Sequence, residues 1–73
     1  MANSYDVAQR TVLGALLEHH PRLVELEELA PNRDPVETER AVRVLVEDGL
    51  AVRLGGRIGL TRAAVRFDAL GPI

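Results

Sequence analysis

The stretch DPVETERAVRVLVEDGL, residues 34–50, decides the fold because it carries a helix with clear signals at its start. Asp34 is a good N-cap residue, since its carboxylate can accept from the free N–H groups of the first helical turn. Pro35 follows at the first helical position, where its missing N–H costs nothing. Glu37 stands three residues after Asp34, which is the capping-box spacing. We therefore predict a helix that begins at Pro35.

The same stretch predicts where the helix ends and which side of it is buried. Gly49 is typical of a helix C-cap, so the predicted helix covers residues 35–48. Small and apolar residues recur in it at helical spacing and form a stripe that we expect to be buried. That stripe consists of Thr38, Ala41, Val42 and Leu45. The charged residues that we expect to face outward are Glu37, Arg40, Arg43 and Glu47.

Length and composition predict one small domain over residues 1–73 and exclude several classes of protein. A domain of this size buries only about 60% of its unfolded surface, which favours association with a second copy. The chain has no cysteine, so disulfides and thiolate metal sites are excluded. No apolar run approaches the roughly 18 residues of a membrane helix, and no signal sequence opens the chain. We expect a cytoplasmic protein.

The charge is distributed unevenly along the chain. The formal net charge is −2, which does not by itself indicate a nucleic-acid-binding protein. Residues 1–34 carry six acids and three arginines, whereas residues 35–73 carry five acids and six arginines. Any basic surface therefore belongs to the second half. Arginine replaces lysine throughout, which suits contacts with phosphate and guanine but equally fits a GC-rich genome.

The rest of the chain predicts three further helices. They cover residues 4–19, 26–31 and 62–70. Asn3 or Ser4 can cap the first of them and Thr61 the last. Gly14 weakens the first helix by roughly 1 kcal/mol relative to alanine, which indicates a close approach by another helix. The predicted inward stripe of the last helix is Ala63, Phe67 and Leu70.

Residues 50–60 predict a β-hairpin. The alternating apolar residues of its first strand are Leu50, Val52 and Leu54. A two-residue Gly-Gly loop would turn Ile58 to the opposite face, whereas a three-residue loop over 55–57 pairs it with Leu54. Because burial on one face specifies register, we predict the three-residue loop with a bulge. Arg57 then lies at the hairpin tip and Arg53 on the outer face.

Few residues in this sequence suggest catalysis or metal binding. His19 and His20 are adjacent, so on a helix they point about 100° apart, and we interpret them as polar residues at a helix C-terminus. No Ser/His/Asp arrangement and no phosphate-cradling loop is visible in the sequence. We expect no enzymatic activity, no metal and no cofactor.

The order helix, connector, short helix, longer helix, hairpin and helix resembles the winged helix-turn-helix family, in particular the small MarR-like regulators of bacteria. The segments that carry the resemblance are LEELA (26–30), AVRVLVEDGLAVRLGGRIGLT (41–61) and the alanine-led helix after them. The resemblance covers residues 7–70. It implies an α+β, mostly α, fold with a three-helix core, a two-stranded wing hairpin and a C-terminal helix.

The resemblance implies a sequence-specific DNA-binding transcriptional regulator. Residues 35–48 would be the recognition helix, whose N-terminal residues meet base edges in the major groove, and residues 50–60 would be the wing on the DNA backbone. The implied DNA-binding residues are Arg33, Glu37, Glu39, Arg40, Arg43, Arg53 and Arg57. The implied partners are double-stranded DNA and a second copy joined through helix 1 and the C-terminal helix, with no membrane.

Some features depart from the family pattern and favour a second hypothesis. Glu37 and Glu39 place negative charge at the end of the helix that would face DNA, and the turn before the helix is short. Val44 and Val46 are apolar where the family is usually polar. The alternative is a winged-helix module or adaptor that binds protein without DNA.

Overall fold

In the computed structural model, which describes residues 5–69 and the side chains of residues 5–66, the chain has an α+β fold. These residues form four helices and a three-stranded antiparallel sheet, and helix predominates, as the sequence predicted. The elements in chain order are α1 (Val7–His19), β1 (Val24–Glu25), α2 (Leu26–Leu29), α3 (Pro35–Glu47), β2 (Ala51–Leu54), β3 (Arg57–Leu60) and α4 (Arg62–Ala69).

Helix α3 begins at Pro35 as predicted and ends at Glu47, one residue before the predicted end, and its N-terminal cap differs from the prediction. The Asp34 carboxylate accepts from the backbone N–H of Val36 at 3.0 Å. Glu37 does not complete a capping box, because its carboxylate accepts from Arg33 instead. At the other end Gly49 has a φ of +79°, and the hydrogen bonds of a Schellman motif close the last turn.

The buried face of α3 is the predicted stripe. Thr38, Ala41, Val42 and Leu45 are all buried. Thr38 is the one polar member of the stripe, and its hydroxyl donates to the carbonyl of Asp34 at 3.2 Å. The hydrogen bond offsets the cost of removing the hydroxyl from water, so this position tolerates threonine inside the core.

Helix α1 begins later than predicted, and the predicted caps Asn3 and Ser4 lie outside the described residues. Asp6 is the N-cap, and Asp6 and Gln9 form the reciprocal capping box that was expected at α3. The face of α1 that packs on α3 carries Ala8, Val12 and Leu16, which follow one another at intervals of four residues, about one helical turn. The prediction for Gly14 is wrong, because a side chain there would meet nothing within 4 Å.

The sheet has three strands rather than the two of the predicted wing. The strand order is β1-β3-β2, so the short strand β1 closes one side of the hairpin. Val24 pairs with Ile58, and both are buried beneath the helices. The central strand β3 therefore pairs on both sides, and its residue Gly59 is covered on the far face by the side chain of Leu23.

The predicted hairpin register is wrong. Leu54 pairs with Arg57 and Arg53 pairs with Ile58, so the loop is the two-residue Gly55-Gly56 turn. Both glycines have positive φ, +60° and +102°, which is what the two-residue type I′ hairpin turn requires. The inward residues are Ala51 and Ile58 rather than Leu54, which is 56% exposed. Arg53 consequently lies on the core side of the sheet, toward α3.

Helix α4 is joined to the end of α3 by one side chain. Thr61 caps α4 as predicted, since its hydroxyl accepts from the N–H of Ala64 at 3.1 Å. The same hydroxyl donates to the carbonyl of Gly49 at 2.7 Å. The predicted stripe of α4 is wrong at Ala63, which is exposed, whereas its neighbour Ala64 is buried. The predicted inward residues Phe67 and Leu70 lie outside the described side chains.

Candidate nucleic-acid interface

The exposed side of α3 carries a ridge of four residues opposite the buried stripe. Val36, Arg40, Arg43 and Glu47 follow one another at helical spacing, and all four are exposed. We call this set the α3 ridge. Its two central members are arginines, and Val36 at the N-terminal end is 61% exposed. The ridge is the surface that a recognition helix would present to a groove.

Glu39, on the flank of the ridge, is held by Arg53 from strand β2. Two guanidinium nitrogens of Arg53 donate to the two carboxylate oxygens of Glu39, at 2.6 and 2.8 Å. The hydrogen bond from Arg53 lowers the pKa of Glu39, and the charge of Arg43 lowers it further. The same bond raises the pKa of Arg53. Glu39 is therefore an ionised carboxylate with its charge compensated.

This pair follows directly from the hairpin register. In the predicted register Arg53 would point away from α3, toward solvent. In the observed register it pairs with Ile58 and shares the inward face of the sheet, so its long side chain reaches α3 beyond the edge of the core. The β2–β3 hairpin and α3 are thereby joined by a bidentate charge pair.

Glu37, the second acid near the start of α3, also has an arginine partner. Arg33 in the preceding turn donates to its carboxylate at 2.9 Å, and the pair has i,i+4 spacing. Both side chains are partly exposed, at 32% and 51%, so the pair contributes little to stability. It nevertheless cancels the charge of Glu37 at the end of the helix that would enter a groove.

Arg57 lies beside the hairpin turn and not within it. It is the first residue of β3 and pairs with Leu54 on one side and Glu25 on the other. Its guanidinium lies 4.0 Å from the Glu25 carboxylate, and both side chains are more than half exposed. Such a pair is weak and readily exchanged. The sequence predicted a connector before the short helix and only the two strands of the hairpin, so Glu25 was not expected near Arg57; the pairing of β1 with β3 brings the two residues together.

The seven predicted residues thus form two groups. Three of the arginines each have a carboxylate partner. Arg33 pairs with Glu37, Arg53 pairs with Glu39, and Arg57 pairs with Glu25. Within residues 5–66, the side chains of Arg40 and Arg43 form no salt bridge and no hydrogen bond. The α3 ridge therefore carries two arginines without a salt-bridge partner among the described side chains, together with one acid, Glu47, at its C-terminal end.

A comparison with known protein families, with curated proteins and with solved structures finds no match for this chain. Support for nucleic-acid binding at this surface therefore comes from the positions and charges of its own residues.

Two further observations concern other classes of site. Over residues 5–69, no helix is both long and apolar enough to cross a membrane. The part of the chain whose side chains are described contains no group of three histidine, aspartate or glutamate residues arranged to hold a metal ion. His19, one of the two adjacent histidines, instead lies 3.3 Å from the guanidinium of Arg22 through its Nδ1 atom.

A second cationic surface lies at the start of α4. Arg62 and Arg66 are one helical turn apart and line an open concavity with His20 and Val65. Neither arginine was among the predicted DNA-binding residues. Because this surface has as many arginines as the α3 ridge but lies on a different helix, the DNA binding of variants at the two surfaces can be compared directly.

Proposed function

We propose that this protein is a DNA-binding transcriptional regulator of the winged helix-turn-helix type, with α3 in the major groove and the β2–β3 hairpin on the DNA backbone. The observation that carries the proposal is the charge state of the α3 ridge. Within residues 5–66, the exposed Arg40 and Arg43 have no salt-bridge partner, and the neighbouring acids Glu37 and Glu39 are paired with arginines outside the ridge. The acid of the ridge itself, Glu47, lies at its C-terminal end, away from the end that would meet base edges.

The dimensions of α3 fit this role. Its 13 residues extend about 20 Å at 1.5 Å per residue, and the major groove of B-DNA is wide enough to admit an α-helix. Arg40 and Arg43 are the residue type that binds guanine through two hydrogen bonds and phosphate through a fork of donors. Both lie on the face opposite the core, so they can reach DNA without any change in the packing of the helix.

The hairpin would contribute backbone contacts through Arg57. Its 4.0 Å contact with Glu25 is exposed, so a phosphate can replace the carboxylate at little cost. Arg53 would contribute less to phosphate binding, since two of its five N–H donors are engaged by Glu39. The proposed hairpin contact therefore depends mainly on Arg57, beside the two-residue turn.

The test is a fluorescence-anisotropy titration of a labelled mixed-sequence duplex at several salt concentrations. Each phosphate that the protein neutralises contributes about −0.9 to the slope of log K against log salt. Replacing Arg40 and Arg43 together by glutamine should weaken binding and reduce the magnitude of the slope by about 1.8 per protomer. No binding by the parent protein at low salt would refute the proposal.

Arg10 provides the matched control. It is exposed on α1 and lies two residues after Ala8, on the side of α1 that faces away from α3. Arg10→Gln should leave both affinity and slope unchanged. An Arg62→Gln and Arg66→Gln double variant tests the other cationic surface, and a larger loss there than on the α3 ridge would place DNA on α4 instead.

We also propose that the regulator is a homodimer joined through α1 and the C-terminal helix. Exposed apolar surface on α1 supports this, since Val7 is 54% exposed. A two-fold dimer would present two α3 helices to half-sites about one helical turn apart. Sedimentation equilibrium should give twice the monomer mass, and Val7→Glu should lower the association constant; a monomer at all concentrations would contradict the dimer.

A protein-binding module is the second candidate, and exposed apolar side chains favour it. Val36 on the ridge and Leu54 beside the hairpin turn are 61% and 56% exposed. Pull-down from a native lysate with and without nuclease separates the two functions. Protein partners that persist after nuclease treatment and are lost in a Val36→Ser and Leu54→Ser variant would support the module, whereas nuclease-sensitive capture supports DNA binding.

A further inference from the structure

Glu39 occupies an unusual place for an acidic residue on a helix proposed to enter DNA. It lies in the N-terminal half of α3, beside the ridge, and its side chain is 34% exposed. A free carboxylate at this position would repel the phosphates on either side of the groove. The bidentate bond from Arg53 removes that repulsion, because the pair as a whole is neutral.

The carboxylate keeps acceptor capacity while it is held. Its two oxygens offer about four lone-pair positions, and Arg53 occupies one on each oxygen. The remaining positions can accept from an amine that approaches from solvent. In the major groove the N4 amino group of cytosine is a donor that carboxylates accept from. Adenine also presents a donor, but its neighbouring N7 acceptor faces the carboxylate unfavourably.

Arg43 strengthens this match. It follows Glu39 by four residues, so the two side chains are neighbours along the helix surface, and its charge acts on the Glu39 carboxylate. An acceptor beside a fork of donors is the complement of a C·G pair, whose cytosine offers N4–H and whose guanine offers O6 and N7.

We propose that Glu39 is a specificity-determining residue that selects cytosine at one position of the DNA site, and that Arg53 is a positioning residue that holds it for that contact. This assignment rests on the proposed DNA-binding function. Arg53 then has a role other than contact with the DNA backbone. From its position on the sheet, it fixes the orientation of the Glu39 carboxylate that contacts the base.

The experiment is selection of binding sites from a randomised duplex library, with the parent protein and two variants. The parent should enrich sites with an invariant cytosine. Glu39→Gln should enrich adenine at that position instead, because glutamine pairs with adenine N6 and N7. Arg53→Lys retains the charge but loses the two-point geometry, so it should retain binding to mixed-sequence DNA and lose the cytosine preference. Arg10→Gln should select the parent's sites.

A change on the DNA side tests the same contact without any substitution in the protein. Replacing the selected C·G pair by T·A exchanges the N4 donor for the O4 acceptor of thymine. The parent should lose affinity about tenfold, and Glu39→Gln should lose less, because it gives up only the contact of Arg43 with the guanine of that pair. Equal losses for the two proteins would overturn the assignment.

The outcomes separate this inference from the function on which it rests. Enrichment of the same sites by the parent and by Glu39→Gln would overturn the cytosine assignment and leave DNA binding intact. Salt-sensitive binding without any enrichment would do the same. Absence of binding by the parent at low salt would refute the proposed function itself, and the assignment with it.

Discussion

The pair between Glu39 and Arg53 should appear as a measurable coupling in the free energy of unfolding. Exposed ion pairs contribute about 0.2–1 kcal/mol. This pair belongs at the upper end, about 1 kcal/mol, because it is bidentate, with distances of 2.6 and 2.8 Å, and both side chains are about two-thirds covered. In a domain of this size, 1 kcal/mol corresponds to a change of about 4–8 °C in Tm.

A double-mutant cycle of Glu39→Ala, Arg53→Ala and the combined variant isolates that coupling, since changes in helix and strand propensity cancel. Urea unfolding followed by circular dichroism at low salt supplies the four free energies. Raising the ionic strength to about 1 M shortens the Debye length to about 3 Å, so the coupling should fall. A coupling below about 0.2 kcal/mol, or one that salt does not alter, would refute the link between sheet and helix.

The pH dependence of the same coupling has a defined sign. Arg53 lowers the pKa of Glu39 in the folded state below its ordinary value of 4.5. Because the unfolded state takes up a proton first, the stabilisation is complete above that value and is lost as the pH falls through the lowered folded pKa. The cycle repeated in acid should therefore give no coupling, and a coupling that persists there would show that the carboxylate is not involved.

Three further predictions concern the fold. Leu45→Ala, at a fully buried position of α3, should cost about 2–5 kcal/mol; urea unfolding that shows less than about 1 kcal/mol would contradict the assigned core. Gly14→Ala should stabilise α1 by about 1 kcal/mol, whereas Gly56→Ala, at a φ of +102°, should destabilise the hairpin by about 1–2 kcal/mol; thermal melts should show opposite signs. Tyr5 donates to Asp48 at 2.7 Å, and this bond raises its pKa to about 12. Its stabilisation is complete below the ordinary pKa of 10.0 and is lost as the pH rises through about 12. Ultraviolet titration of this sole tyrosine checks it, and Asp48→Ala should return the pKa toward 10.0.

The sequence predicted α3 well because its signals are local. A capping aspartate, a proline at the first position and a glycine at the end act within a few residues of the helix, and the spacing of its small residues marks the buried face. The capping box was assigned to the wrong helix because Glu37 had two available partners. Arg33 precedes it by four residues in the folded turn, and the choice between backbone N–H and guanidinium depends on the conformation of that turn.

The hairpin could not be predicted in the same way, because its register depends on packing against the rest of the protein. Alternation suggested that Val52 and Leu54 face inward, yet the helices cover Ala51 and Ile58. The two consecutive glycines favour a two-residue turn through backbone conformation alone, and that local preference agrees with the structure. The prediction gave the larger apolar residues more weight than the turn signal. It therefore placed Val52 and Leu54 on the inward face of β2 and Arg53 on the outward face, the reverse of what the structure has.

The hydroxyl of Thr61 joins three segments of the chain, and this has a consequence for how motion can spread. It accepts from the first turn of α4 and donates to the carbonyl of Gly49, where α3 ends and β2 is about to begin. Any force that tilts α4 must stretch the bond to Gly49 and so pull on the residue that sets the angle between α3 and the sheet. Serine would preserve this joint with one methyl group less, whereas valine would have the same shape, lose both bonds of the hydroxyl and leave only the backbone N–H of residue 61 bonded to the carbonyl of Leu50.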